Sequence, residues 1–193
     1  PQNVTETDMK PIVMELKKTN ADVVLLWVSP SSLVRILLTG KALKFTPQWM
    51  TTSTCSDLPL FWKISRGAIE GIIAAALTLM PDSNDALLLR YKRNVFEKYA
   101  GKGERWGVFY YAGIVFAEPL VEALRRSGRD LTRERLVTEL EGLKDFQGIS
   151  GKISYKPFDP NDLSSRVGLN SVFIIQCLEN ANYKILSDWV TLD

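Results

Sequence analysis

The amino-acid sequence predicts an open, doubly wound α/β fold with mostly parallel sheets. Three observations carry that prediction. Val23-Val24-Leu25-Leu26-Trp27-Val28 is a continuous apolar run without alternation, the pattern of a strand buried on both faces. Segments of helical period alternate with such runs through the first half of the chain, as βαβ architectures require. Near Met80-Pro81-Asp82 this alternation stops, the middle turns helical, and the end becomes rich in strands.

Each element has its own justification. Asp8 is placed to cap a helix whose apolar residues Met9, Ile12, Val13 and Leu16 share one face, with Lys17 and Lys18 favourably placed in the last turn. After the Val23–Val28 strand, Ser29-Pro30-Ser31 opens a helix through Leu33, Ile36 and Leu37, with Gly40 as its stop. Phe45 to Thr51 reads as a strand, Leu58 to Ser65 as a short helix, and Gly67 to Met80 as an extended apolar strand. Ser83 or Asn84 caps a helix carrying Leu88, Tyr91, Val95 and Tyr99, closed by Gly101. Gly107 to Ser127 reads as a long and largely buried helix, kinked at Pro119. Thr132 caps the next helix, with Leu131 and Leu136 spaced as a hydrophobic staple. Strands are expected at Lys152–Tyr155, Ser171–Glu179 and Tyr183–Val190, the last two turning on Asn180-Ala-Asn182.

Composition narrows function by exclusion. The 193 residues are 46% apolar, enough for a packed core. A net charge of +2 argues against nucleic acid as a partner. There is no histidine, which removes Ser-His-Asp and Cys-His catalysis and histidine-ligated metal. The longest uncharged stretches, Gly71–Pro81 and Trp106–Ala117, run 11 and 12 residues, too short for a membrane-spanning helix. The polar start Pro1-Gln-Asn-Val-Thr-Glu6 has no signal-peptide pattern, which a mature or trimmed chain would have lost. Gly101-Lys-Gly-Glu104 lacks the spacing of a phosphate loop, and Gly148-Ile-Ser-Gly151 that of a nucleophile elbow. No catalytic residue, metal ligand or cofactor is assigned. The arginines from Arg125 to Arg135 are interleaved with Glu122, Asp130, Glu134 and Glu139, which reads as a solvated, ion-paired surface. Cys55 and Cys177 leave open both a bond between them and two buried thiols.

Ligand-binding candidates follow from topology. Open α/β sheets bind ligands outside the carboxyl ends of their strands. Trp27 and Ser29 lie in the segment at the C-terminal end of the first strand, and Thr51, Thr52 and Ser53 in that of the second. Their hydroxyls, aromatic ring and backbone amides suit a neutral or anionic small molecule. Serine and threonine are equally ordinary turn formers, and that reading stays open.

Further landmarks carry a family resemblance: Asp8-Met-Lys-Pro-Ile-Val-Met-Glu-Leu-Lys17, Gly67-Ala-Ile-Glu-Gly71, Phe96-Glu-Lys-Tyr99, Tyr111-Ala-Gly-Ile-Val-Phe-Ala-Glu118, Leu120-Val-Glu-Ala-Leu-Arg-Arg126 and Phe146-Gln-Gly-Ile-Ser-Gly-Lys-Ile-Ser-Tyr155. In their order and spacing the chain resembles the C-terminal half of type 1 periplasmic-binding-fold proteins. It is similar above all to the branched-chain amino-acid (Leu/Ile/Val) substrate-binding family of ABC transporters. The resemblance implies two Rossmann-like lobes joined by crossovers, with ligand gripped between them. Mapped by order, residues 1–76 form a second-lobe portion, 77–150 a first-lobe portion, and 151–193 a crossover and return to the second lobe. Leu77, Thr78, Leu79 and Met80 fall at the hinge. It also implies export to the periplasm or extracellular space and an ABC permease as partner. A sensor domain of the same fold, or a Rossmann-like enzyme, are the rival readings.

One departure bears on the ligand. Amino-acid-binding members of the family place a carboxylate after the second strand, to pair with the ligand ammonium. Here Ser53 stands nearest that position, with Asp57 farther on, and Ser29 stands where an aromatic is frequent. An ammonium left unpaired in a closed site is costly. A neutral or carboxylate ligand, aromatic or not, is therefore expected ahead of an amino acid, unless Asp57 turns inward.

Overall fold

The computed structural model describes residues 8–191. They fall into two compact units, one running to Ala76 and resumed at Val172–Val190, the other Leu77–Ser171 with Thr191.

In the first unit, helix α1 (Lys10–Lys18) leads into strand β1 (Val23–Leu26), α2 (Pro30–Ala42), β2 (Gln48–Thr51), α3 (Leu58–Ser65) and β3 (Ile73–Ala76). Strand β6 (Ser171–Cys177) and β7 (Tyr183–Ile185) complete a sheet of order β1-β2-β3-β6-β7, and β8 (Val190–Thr191) also pairs with β6. The β1–β2 and β2–β3 pairs are parallel, whereas β6 runs antiparallel to β3 and to β7. The core gathers Val13, Leu33, Leu58, Phe61, Ile72 and Ile175, all buried.

Local chemistry explains most boundaries. The α3 span is as the sequence predicts, started by Asp57 and ended by Arg66 in the left-handed region at φ 52°. Gly40 does not stop α2, which continues to Ala42. It is small because a Cβ there would stand 3.1 Å from both the Phe45 carbonyl and the Trp49 ring. The strand expected over Gly67–Met80 shrinks to Ile73–Ala76, since Gly67 and Gly71 adopt φ of 79° and 81° and break extended backbone. Likewise Pro47 keeps the second strand from starting at Phe45.

The second unit is helical. Its elements are α4 (Ala86–Tyr91), a π-helical segment (Lys92–Phe96), α5 (Glu97–Tyr99), α6 (Val108–Ser127), α7 (Arg133–Glu141) and the hairpin β4 (Phe146–Gly148)–β5 (Gly151–Ile153). The cap of α4 is Asp85 rather than Ser83 or Asn84, its Oδ1 accepting from the Leu87 and Leu88 amides at 2.9 Å each. Helix α6 runs unbroken through Pro119. Thr132 caps α7 as expected, accepting from the Arg135 amide at 3.1 Å. Leu88, Val108, Tyr111, Val115 and Ile149 form the core of this unit.

Two expectations of full burial fail. Strand β1 lies at the sheet edge with only one face covered. Val24 and Leu26 are buried, while Val23 is 53% and Leu25 65% exposed. On α6, Phe116 is 74% exposed in line with half-exposed Phe109 and Leu120. Continuous apolarity predicts cover on both faces, and among the described residues β1 and α6 are covered on one face only. Expressed alone, residues 1–193 should therefore self-associate, and Leu25→Lys with Phe116→Lys should shift the population toward monomer. A single monomeric species of the unmodified chain in sedimentation velocity would contradict this.

Candidate functional site

The parallel register pairs Leu26 with Thr51. The chain therefore leaves β1 and β2 side by side, at the carboxyl end of both strands. Thr51 fixes that junction: buried, it donates its Oγ1 hydrogen to the Leu26 carbonyl at 3.2 Å. Its hydroxyl is thus committed to the protein.

Beyond Leu26, Trp27 projects with 85% exposure. Ser29 caps α2, its Oγ accepting from the Ser32 amide at 3.4 Å and lying 3.2 and 3.0 Å from the Ser31 and Ser32 hydroxyls. Leu33 donates to the Ser29 carbonyl, and Pro30 has no N–H. This helix start accordingly offers the Ser31 amide rather than a fan of several. Beyond Thr51, the Thr52 and Thr54 hydroxyls lie 3.1 Å apart. Ser53 opens a 3-10 turn (Ser53–Cys55) whose carbonyl accepts from Ser56 Oγ at 2.9 Å. The Ser53 hydroxyl is half-buried and has no hydrogen-bond partner among the described residues.

Asp57 does not turn into this site. It is 1% exposed and its Oδ1 accepts from the Leu60 amide at 3.1 Å, capping α3. No other acid lies between Thr51 and Asp57. Of the residues assigned from sequence, Trp27, Ser29, Thr52 and Ser53 are brought to one end of the sheet, and Thr51 is there as a structural bond. Leu77–Met80 lie in the other unit. A cavity of about 370 Å³ lined by Leu37, Phe45, Gln48 and Gly71 sits at the opposite end, where β2 and β3 begin.

Both cysteines are free and buried. Cys177 donates its amide hydrogen to the Ile72 carbonyl just before β3, whereas Cys55 follows the far end of β2. The sheet separates them, so no bond joins them. Burial raises the Cys55 thiol, and burial together with the Glu70 charge pushes Cys177 up to about 12. The surface reading of the arginines is correct for Arg125 and Arg126, both bonded to Glu122 at 2.8 Å. These bonds hold the Glu122 carboxyl down at about 2. Gly101-Lys-Gly-Glu104 closes on itself, the Gly101 amide donating to Glu104 at 2.7 Å.

A family model described as periplasmic binding protein matches residues 2–161. The chain belongs to that family. A branched-chain amino-acid ABC transporter protein from Thermus thermophilus with bound valine superposes at a TM-score of 0.78 and 18% identity, over 96% of this chain and 50% of that one. A fatty acid ABC transporter substrate-binding protein from Thermomonospora curvata superposes at 0.76 and 19% identity, over 98% and 48%. The leucine binding protein LivK of Thermotoga maritima gives 0.74 and 18%, over 97% and 49%. These likenesses show a shared type 1 periplasmic-binding fold, and the chain spans about half the length of each structure. No curated protein sequence matches it.

Sequence reasoning gave no role to a buried acid inside the second unit, Glu118 in α6. Its signal is a glutamate directly before Pro119 in a stretch apolar since Trp106.

Raised thiol pKa values leave almost no thiolate near neutral pH. Neither Cys55 nor Cys177 should react with a disulfide reagent in the native state, and both should react in denaturant. Fast labelling of either before unfolding would contradict the burial described.

Proposed function

We propose that this periplasmic binding protein chain is part of an exported solute-binding protein that captures a small organic molecule and passes it to an ABC permease, without chemistry. Its ligand rests against the carboxyl ends of β1 and β2. Residues 1–76 with the returning strands belong to the second lobe, and the helical unit to the first. Leu77–Met80 are the hinge segment that absorbs the closing rotation.

One observation carries the ligand class: Ser53 and Ser29 flank a junction in whose loop the sole acid, Asp57, is buried as the cap of α3. A ligand ammonium would find no carboxylate in this loop, and burying it unpaired is unfavourable. Hydroxyls and the Ser31 amide instead suit a neutral or anionic group, with Trp27 available to an apolar or aromatic body. That a fatty acid transporter's binding protein shares the fold supports a carboxylate without an ammonium as within its range.

Native mass spectrometry of the full natural protein purified from its host should show the retained ligand, and calorimetry with that compound then tests the loop. Ser53→Ala should weaken binding roughly tenfold if Ser53 donates a neutral hydrogen bond, since about 1.4 kcal/mol is a decade. Ser53→Asp should repel a carboxylate ligand while admitting an amine. Unchanged affinity in both variants removes the loop from the site, and turnover of the compound by purified protein overturns the binding-only reading.

A further inference from the structure

Glu118 sits in the middle of α6 and is only 4% exposed. Its Oε2 accepts from the Ile149 amide at 3.0 Å. Its Oε1 has no hydrogen-bond partner among the described residues, and neither has the buried hydroxyl of Ser150. Gly148 makes the approach feasible, because a Cβ there would fall 2.6 Å from Glu118 Oε2. The connection does not end at Ile149. Its carbonyl accepts from the Leu79 amide at 3.2 Å, and the Leu79 carbonyl accepts from the buried Tyr111 hydroxyl at 2.6 Å. Leu79 is thus held through both its backbone polar groups, by α6 directly and by α6 through the hairpin turn. All of these bonds lie within the helical unit.

The groups that face the carboxylate come from α4: Tyr91, Arg90 and, at the cap, Asp85. The Gly148–Gly151 turn carries no titratable side chain. Burial pushes the Glu118 carboxyl above its ordinary range and outweighs the opposing Ile149 amide, Tyr91 and Arg90, while Asp85 adds to the rise. Tyr91 is pushed up to about 12, chiefly by burial and then by the Glu118 charge, so it stays a neutral neighbour at working pH.

We propose that Glu118 is a positioning residue whose protonation state sets how firmly the Gly148–Gly151 turn holds Leu79. Ionised, Glu118 forms a charge-assisted bond to the Ile149 amide, about twice as strong as the bond a neutral acid accepts. Protonated, it avoids the cost of a buried charge but loosens that bond. The sign follows from linkage. A carboxyl raised in the folded state favours folding at low pH, and that stability is lost as pH rises through the folded value. Rising pH therefore tightens the turn locally while costing the unit stability overall. The consequence for ligand capture rests on the hinge reading of Leu77–Met80, but the bonds themselves do not, and they can be tested with no ligand present.

The test is amide NMR on the full natural polypeptide, isotope-labelled at isoleucine and leucine nitrogens, between about pH 4 and 9, which spans the carboxylate range and its upward shift. The Ile149 and Leu79 amide shifts should titrate together, with a midpoint above the ordinary glutamate value. Glu118→Gln should abolish both titrations yet keep both amides protected from exchange. Glu118→Ala should raise exchange at both by about tenfold, as expected for one lost hydrogen bond; where that variant does not fold, the glutamine variant decides alone. The proposal is overturned by titrations that persist in Glu118→Gln, by an Ile149 titration that Leu79 does not follow, or by no titration at either amide. None of these outcomes depends on which ligand the protein binds, so failure here is separate from failure of the transport reading.

Discussion

The bond from Thr51 Oγ1 to the Leu26 carbonyl ties the side chain that ends β2 to the strand beside it. A hydroxyl buried without a partner would cost about 1–3 kcal/mol, so the pairing of Leu26 with Thr51 is strongly favoured over a slipped register. A slip of one residue would also turn Val24 and Leu26 from the buried face to the exposed one. Everything proposed for the ligand depends on this register. It makes the Trp27–Ser29 and Thr52–Ser53 segments neighbours, although 24 residues separate Ser29 from Ser53 in the chain. The same bond removes Thr51 from the set of groups free to meet a ligand.

The helical unit solves a different problem, that of a charge among apolar side chains. Glu122, one turn beyond Glu118 on the same helix, shows the contrast. It reaches two arginines at the surface, where water screens the attraction and the pairs add little to stability. Glu118 has no such escape. Its compensation comes from one backbone amide and the neighbouring Tyr91 and Arg90, and burial still dominates. A buried acid so sparsely compensated is costly to keep, and here it stands against the turn that holds Leu79 through Ile149. Tyr111 supports the same residue from the core side, which ties the hydrophobic packing of α6 to the backbone path after β3.

Asp57 shows how one residue's local duty decides the chemistry of a neighbouring site. Within the seven residues from Thr51 it is the only acid, and its placement one residue before Leu58 and Pro59 makes it the natural cap of α3. It accepts from the Leu60 amide and is 1% exposed, so its carboxylate is folded into the protein at the start of α3. The hydroxyl-rich 3-10 turn that precedes it is what remains at the site.

The sequence by itself determined most of the helices and the first two strands, the span of α3, the caps at Ser29 and Thr132, and the candidate segments at the ends of those strands. These follow from short-range physics: periodicity, the oxygen of a capping side chain, and the position of proline. Sequence reasoning missed β4 and the π-helical segment, and the strand expected over Tyr183–Val190 is the two short strands β7 and β8. Tertiary structure alone decided which apolar surfaces are covered, because burial depends on neighbours distant in sequence. Val23, Leu25 and Phe116 are as apolar as Val24 and Leu26, yet only the latter pair is buried. The separation of Cys55 from Cys177 was equally invisible, being set by the antiparallel arrival of β6 beside β3. So was the partner of Glu118, an amide 31 residues away, since a single buried carboxylate has no sequence period and is recognisable only by what closes around it.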